Sequence, residues 1–385
     1  MNSIANKVLN SFKEKFSNTP NVYFSPGRIN LIGEHIDYND GYVMPAAINK
    51  GIYYAVAANG TDTINILALD FNETLNIKIT DIKKMDSWKN YVLSVVNEFV
   101  LLGKITQGFD CVFSGDIPQG SGMSSSAAVE GGLAFALNEI FNFGYSRVQL
   151  ALLCQRAEHN YPNVQCGIMD MYASLNGKKD HVILLDCTSV THEYFPFVLK
   201  EYTIVMVNSK VHHSLASGEY NVRRQRCEEG LGILKTKLGV QSFRDISSTD
   251  DIVPFKETMT PEVYDCCKYV VEEIARTRKA GALLRQHDLK AFGQLMYATH
   301  EGLSKLYQVS CVELDFLVEQ AKTNTAVIGA RLMGGGFGGC TINMVRNESV
   351  ELFIAAISTA YKQKFSIEPE AYIMSISDGT ARIID

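Results

Sequence analysis

No apolar run in this sequence approaches the roughly 18 residues of a membrane-spanning helix. No CxxC pair stands among its nine cysteines, an odd count that argues against a disulfide framework or a zinc ribbon and suits a reducing cytoplasm. Basic residues are not in excess: 36 Lys and Arg face 42 Asp and Glu, a net charge of −6. Bulk charge therefore offers nothing to nucleic acid or an anionic membrane, and a phosphate ligand would need a local site. Low-complexity segments and internal repeats are also missing. With 46% hydrophobic and 20% charged residues, the composition excludes disordered and fibrous chains, and 385 residues exceed one ordinary core and suggest two domains.

What is present reads as a mixed fold. In the opening stretch MNSIANKVLNSFKEKF, Ile4, Val8, Leu9, Phe12 and Phe16 recur near helical spacing. It lacks the apolar core and cleavage site of a secretory signal and carries Glu14 but no Arg, so a surface helix of the mature protein is expected rather than a targeting segment. NVYF (21–24) and GIYYAVAANG (51–60) are strand-like, and the Asn59-Gly60 turn signal predicts a hairpin with TINILAL (63–69). Helices are expected over 88–103, 127–141, 150–158 and about 353–365, and strands at FDCVF (109–113), HVILLDC (181–187), YTIVMVNS (202–209) and TINMV (341–345). The elements interleave without the βαβ rhythm of a doubly wound sheet, which makes α+β the expected class. A boundary near 190–200 divides the chain into domains 1–195 and 196–385.

Glycine marks the chemistry. Of 29 glycines, five fall in 115–132 and five in 334–339. The first stretch runs from a strand through a Gly/Ser loop into a helix, and a helix N-terminus offers unpaired N–H groups and partial positive charge to phosphate oxygens. Gly120 and Gly122 allow close approach, and Ser124, Ser125 and Ser126 exceed what a helix cap requires. The loop is neither a Walker loop nor a dinucleotide fingerprint, and the HRD and DFG landmarks of protein kinases do not occur.

Three other clusters stand out. Arg28, Glu34, His35 and Asp37 alternate with Ile29, Leu31, Ile32 and Ile36, so polar groups are set among buried ones and need partners. A polyhydroxylated ligand would supply them; Asp37, Asn39 and Asp40 could equally build the turn before Gly41. Asp170 lies among Ile168, Met169, Met171 and Tyr172, where a carboxylate is paired with a cation or held protonated. Glu158, closing an apolar helix, is a Mg²⁺ ligand candidate or a solvated helix-end charge. Five glycines in 334–339 bring the backbone close to a ligand or to another chain segment.

GRINLIGEHIDYNDGYVMP (27–45), IPQGSGMSSSAAVE (117–130), CGIMDMYAS (166–174), SKVHHSLASGEYNVRR (209–224) and RLMGGGFGGCT (331–341) together resemble the galactokinase family of the GHMP small-molecule kinase superfamily. The resemblance runs from about residue 20 onward. It implies two α+β domains with the active site in the cleft between them, and ATP-dependent phosphorylation of galactose at its anomeric hydroxyl, the first committed step of galactose catabolism. It places galactose on Glu34, His35, Asp37, Gly167, Asp170 and Tyr220. Arg28 would lie beside the transferred phosphoryl group and Asp170 would be the base. The ATP phosphates would rest on Gly120, Ser121, Gly122, Met123, Ser124, Ser125 and Ser126, Mg²⁺ on Ser126 and Glu158, and Trp88 would line the adenine pocket. Ser121 and Met123 depart from the GGGLSSS often seen in the family, and Met171-Tyr172 replaces a common Gln-Phe; neither removes a reacting group.

The resemblance further implies a cytoplasmic monomer with no nucleic-acid or membrane partner. Because phosphoryl transfer passes through a loose transition state, Asp170 is expected to orient the hydroxyl and accept its proton late. Two rival readings are an N-acetylgalactosamine kinase, which needs room beside the sugar's C2 substituent, and a non-catalytic galactose and ATP sensor. A sensor should have lost its phosphate loop or catalytic groups, whereas Arg28, Ser124–Ser126, Glu158 and Asp170 are all present.

Overall fold

The computed structural model describes residues 2–212 and 216–383; the expected sugar-contacting segment 209–224 therefore includes three residues, 213–215, outside the described ones. Helix α1 (Ser3–Lys15) is capped by Asn2, whose side chain accepts the Ile4 and Ala5 N–H groups, and it buries Ala5, Val8 and Phe12. Strands β1 (Asn21–Asn30), β2 (Tyr42–Val43), β3 (Pro45–Ala58), β4 (Thr63–Ala68) and β5 (Glu73–Lys78) precede helix α2 (Trp88–Leu101). Strand β6 (Phe109–Gly115) leads through the Gly/Ser loop into α3 (Ser125–Ile140). Then come α4 (Arg147–Asn160), whose Ser146 and Gln149 form a capping box, and the short α5 (Met169–Asn176). Strands β7 (His181–Asp186), β8 (Thr191–Pro196) and β9 (Tyr202–His212) follow, with α6 (Ala216–Leu238), α7 (Pro261–Arg285), α8 (Leu289–Lys305) and α9 (Val312–Thr323) after them. The chain closes with β10 (Val327–Met333), β11 (Gly338–Arg346), α10 (Val350–Phe365), β12 (Glu370–Met374) and β13 (Ala381–Ile383).

Three sheets result: a six-stranded sheet ordered β13-β1-β3-β6-β4-β5, a four-stranded antiparallel sheet ordered β10-β11-β9-β12, and a small β2-β7-β8 sheet. Helices α3 and α5 pack on β1 and β3, while α1 covers β3 and β6. This is the mixed α+β architecture expected, but the hairpin expected at Asn59-Gly60 does not form. Strand β6 is inserted between β3 and β4, and β4 hairpins with β5 instead. The reason is burial: residues Phe109–Ser114 of β6 are all buried, so that strand takes a central place with a partner on each edge. Asn59 serves the crossing rather than a tight turn, its amide donating to Thr63 O and Asp110 Oδ1.

The boundary expected near 190–200 coincides with the passage from β8 to β9, where the second sheet begins. The last strand nevertheless returns to the first sheet, pairing Val22 with Ile383 and Phe24 with Ala381. Among the described residues no helix is long and apolar enough to cross a membrane.

Candidate active site

Strand β1 runs on past NVYF, so that Arg28 lies within it, facing the N-terminal end of α5. Arg28 Nε donates to Asp170 Oδ1 at 2.7 Å and Nη2 to Oδ2 at 2.8 Å, a bidentate pair. Only 5% of the Arg28 side chain is exposed against 30% of Asp170, so the carboxylate is the open half of the pair. Burial opposes the guanidinium's charge, but Asp170 and Glu34 outweigh it and hold Arg28 above its ordinary value. Arg28 Nη1 also donates to Gly122 O and its N–H to Met123 O, tying the pair to the Gly/Ser loop.

Ser124 opens α3 in a left-handed conformation (φ 59°), and its hydroxyl makes no cap bond. It donates instead to Asp170 Oδ2 at 2.5 Å, so the first of the three serines belongs to the carboxylate. Ser126 is bonded to Glu158 across the α3–α4 contact, and Glu158 also accepts from Cys166 Sγ at 2.8 Å. Glu158 is buried, not the solvated helix end of the alternative reading, and burial raises its pKa against those two hydrogen bonds. The pair Ser126 and Glu158 presents hard oxygen donors at a helix N-terminus. That set suits Mg²⁺, which takes one or two protein ligands and leaves its other positions to phosphate and water. Among the described residues no group of three or more His, Cys, Asp or Glu gathers as a metal cluster, here or elsewhere.

The glycine loop before β11 lies back to back with the Gly/Ser loop. A methyl group added to Gly334 would come within 3.3 Å of Gly122 O, one on Gly339 within 3.4 Å of Gly120 O, and one on Gly122 within 3.1 Å of Met333 O. The close approach these glycines serve is thus to another chain segment.

Below the Arg28–Asp170 pair, Glu34 and His35 are buried. Glu34 Oε2 accepts Nη1 and Nη2 of Arg331 at 2.9 Å each and Gly334 N–H at 3.1 Å. Burial alone would raise the Glu34 pKa, but Arg331 and Arg28 outweigh it and hold the carboxyl below its ordinary range. His35, at φ 59°, joins Tyr38 OH through Nδ1 at 2.7 Å and Gly335 O through Nε2 at 3.2 Å. A carbonyl only accepts, so Nε2 carries the proton and Nδ1 accepts from Tyr38, which in turn accepts from Tyr307 OH at 3.0 Å. Burial, outweighing Glu34, lowers His35 to a pKa of about 4, which leaves the ring neutral at pH 7.

Asp37 keeps a little accessible surface in the cleft although protein encloses it. Burial, reinforced by Asp170 and Glu34, raises its pKa to about 7. Its Oδ2 accepts Met169 N–H at 3.4 Å, and a methyl group on Gly167 would sit 2.0 Å from that oxygen, so Gly167 gives the carboxylate its room. Tyr220, on the first turns of α6, places its ring 5.2 Å from His35 and 5.3 Å from Tyr38. Glu34, His35, Asp37, Gly167, Asp170 and Tyr220 therefore gather around Arg28. Trp88 stands apart from them, buried at the start of α2 beside Phe113 and the half-exposed Phe71, with its indole N–H on Glu73 at 3.2 Å.

Sequence reasoning missed Arg331, Tyr38 and Tyr307. Arg331 is wholly buried in β10 and spends its donors on Glu34 and on the carbonyls of Asn30, Leu31 and Leu332. An arginine within the apolar run VIGARLM is itself a signal, because it demands a buried anion.

Known proteins resemble this chain over nearly its whole length. Residues 10–58 match the galactokinase galactose-binding signature, 90–178 the GHMP kinase N-terminal domain and 280–363 the GHMP kinase C-terminal domain. The chain is 38% identical to a galactokinase of Clostridium acetobutylicum, covering 98% of this chain and 99% of that one, and 37% identical to one of Thermotoga petrophila, covering 93% and 99%. A crystal structure of Lactococcus lactis galactokinase complexed with galactose superposes with a TM-score of 0.94 at 32% identity, over 97% of this chain and 98% of that one. Methanococcus jannaschii mevalonate kinase, at 18% identity and a TM-score of 0.63 over 94% and 99%, shares the fold. With the signature, both kinase domains and near full-length relatives in agreement, this chain belongs to the galactokinase family of the GHMP kinases.

Proposed function

We propose that the chain transfers the γ-phosphoryl group of ATP to the anomeric hydroxyl of galactose, giving galactose 1-phosphate and ADP. The observation that carries this reading is the state of Asp170. An ionised carboxylate has about four acceptor positions. Arg28 Nε, Arg28 Nη2 and the Ser124 hydroxyl take three of them, leaving a place on the exposed side for one more donor. A sugar hydroxyl donating there turns its own lone pair toward the γ-phosphorus. The proton passes to Asp170 as the new P–O bond forms and the bond to ADP breaks, late in a loose transition state. Arg28 spends three of its five N–H groups on Asp170 and Gly122, and the other two serve the phosphoryl oxygens.

Glu34, His35, Asp37, Gly167 and Tyr220 hold the sugar, with the neutral His35 fixed in one tautomer. Residues Gly120–Ser126 cradle the phosphates, and Trp88 flanks the base. Ser126 and Glu158 hold Mg²⁺, which supplies charge neutralisation to the ATP phosphates when bound. The cleft joins domains 1–195 and 196–385, and one chain furnishes every residue named, which supports action as a monomer; nine free cysteines support a reducing cytoplasm.

The test is ³¹P NMR of a reaction containing ATP, Mg²⁺ and galactose. A sugar phosphate signal split by the anomeric proton is expected, rising as ADP rises. Hydrolysis of ATP to inorganic phosphate, or a phosphate coupled to the C6 protons, would overturn the assignment.

A further inference from the structure

The C-terminal segment SDGTARI (377–383) belongs to no cluster described above, yet it ends on the helix that carries Asp170. Helix α5 has only eight residues, too few to be stable alone, and its last carbonyls need partners from outside. The returning tail supplies them. Thr380 donates both its N–H, at 2.8 Å, and its hydroxyl, at 3.0 Å, to Ser174 O. Gly379 N–H donates to Gly177 O at 2.8 Å, and Arg147 bridges Leu175 O and Thr380 O. A side chain on Gly379 would meet Leu175 O at 2.7 Å, so the tail lies on the helix end at backbone contact.

The same threonine reaches β1. Ser25, Ser174 and Thr380 are all buried and form a hydroxyl triad. Its proton directions follow from counting. The Ser174 hydroxyl donates to Pro26 O at 2.7 Å and Thr380 donates to Ser174 O, so the single Ser25 proton is shared between Thr380 Oγ1 at 3.0 Å and Ser174 Oγ at 3.3 Å. Every hydroxyl proton is used, as a buried polar cluster requires. Ser174 lies one helical turn beyond Asp170, roughly 6 Å along the axis. Ser25 lies three residues before Arg28, roughly 10 Å along the strand. Strand β1 and helix α5 are thus joined by two rungs, the Arg28–Asp170 pair at the cleft and the hydroxyl triad behind it.

We propose that Thr380 is a positioning residue for phosphoryl transfer: it caps α5 and bolts it to β1, and so sets where Asp170 stands relative to Arg28. This rests on the reading that those two residues carry the reaction. It gives the segment that leads into the last strand a role in turnover without contact with either substrate. Loss of the bolt lets the open end of the pair shift, and a misplacement of about 1 Å can cost on the order of 100-fold in rate.

The experiment compares wild type with Thr380→Val, which keeps shape and loses the hydroxyl, Thr380→Ser, which restores it, and Ser25→Ala, which removes the Thr380 bond from the β1 side and leaves Ser174 on Pro26 O. Each is assayed for kcat and for KM of galactose and ATP, with rates normalised to the folded fraction from thermal melts. Thr380→Val and Ser25→Ala should each lose about tenfold or more in kcat, with both KM values within about twofold of wild type, and Thr380→Ser should recover most of the rate. A kcat of Thr380→Val and Ser25→Ala within twofold of wild type overturns the role. So does a loss that vanishes on normalisation, or one that appears in KM alone. If Thr380→Val does not fold, Ser25→Ala and Thr380→Ser decide on the same criteria. A wild-type chain inactive with galactose overturns the proposed reaction and this role with it; an active wild type matched by its variants overturns this role alone.

Discussion

Arg28 and Asp170 meet as two forks, Nε on one carboxylate oxygen and Nη2 on the other, with the guanidinium buried and the carboxylate partly open to the cleft. The arrangement fixes the carboxylate without saturating it, which is what a group that orients a hydroxyl and takes its proton late requires.

Replacing Asp170 separates binding from chemistry. Asp170→Asn keeps the shape and most of the polar contacts but has no place for the proton. Its kcat should fall by about 10²–10⁴, while galactose affinity by calorimetry stays within roughly tenfold. Turnover near the wild-type rate would leave Asp170 with no essential proton role.

Arg331 and Glu34 are both buried, and removing one of them strands the other's charge. Arg331→Met should lower stability by about 3–5 kcal/mol in urea unfolding, whereas Arg331→Met with Glu34→Gln should recover much of that loss because no bare charge remains. A double variant as unstable as Arg331→Met would mean that packing, not charge, makes Arg331 necessary.

Asp37 and His35 titrate in opposition. Asp37 is raised from 3.8 to about 7 by burial and its acidic neighbours, so its contribution to stability is whole below pH 3.8 and is lost as pH rises through 7. Burial lowers His35 from 6.5 to about 4, so its contribution is whole above pH 6.5 and is lost as pH falls to 4. Between those limits the two slopes cancel. Asp37→Asn removes one of them, and its stability relative to wild type should fall by up to about 1.4 kcal/mol for each unit of acidification from pH 7 toward 4. A difference between the two proteins that does not change with pH would show that Asp37 ionises normally.

Glu158 is hydrogen-bonded to Ser126 at the start of α3. Glu158→Gln keeps its size but weakens its hold on a divalent cation. The Mg²⁺ concentration for half-maximal rate should rise at least tenfold, and Mn²⁺ bound in the presence of ATP, read by electron paramagnetic resonance, should weaken in parallel. Unchanged Mn²⁺ affinity would remove Glu158 from the cation site.

Much of this was legible in the sequence. Helical periodicity located α1, α2, α3 and α10, and short apolar-rich runs located β6 and β9. The polar residues alternating through 28–37 marked a largely buried cluster in need of partners, because each unpaired polar group in such a run is costly, and the structure supplies Asp170, Arg331, Tyr38 and Gly335. Strand order was not legible: Asn59-Gly60 carries a local turn signal, but the burial of β6, nearly fifty residues later, decides which strand lies beside β3. Arg331 was passed over because its partner lies 297 residues away. The tail strand was legible only as a segment without an assignment, since three residues pairing with β1 make no pattern of their own. Ser124 illustrates a third kind of miss. Its position suggests a cap or a phosphate donor, and only the placement of α5 shows that its proton goes to Asp170.

The most direct test is Mg²⁺-dependent release of ADP from ATP with galactose, N-acetylgalactosamine, glucose, mevalonate and homoserine supplied separately at equal concentration. Strong release with galactose, and little with the other four, is the predicted result. Stronger release with N-acetylgalactosamine, or silence with every acceptor from a protein that still binds ATP and galactose, would contradict it.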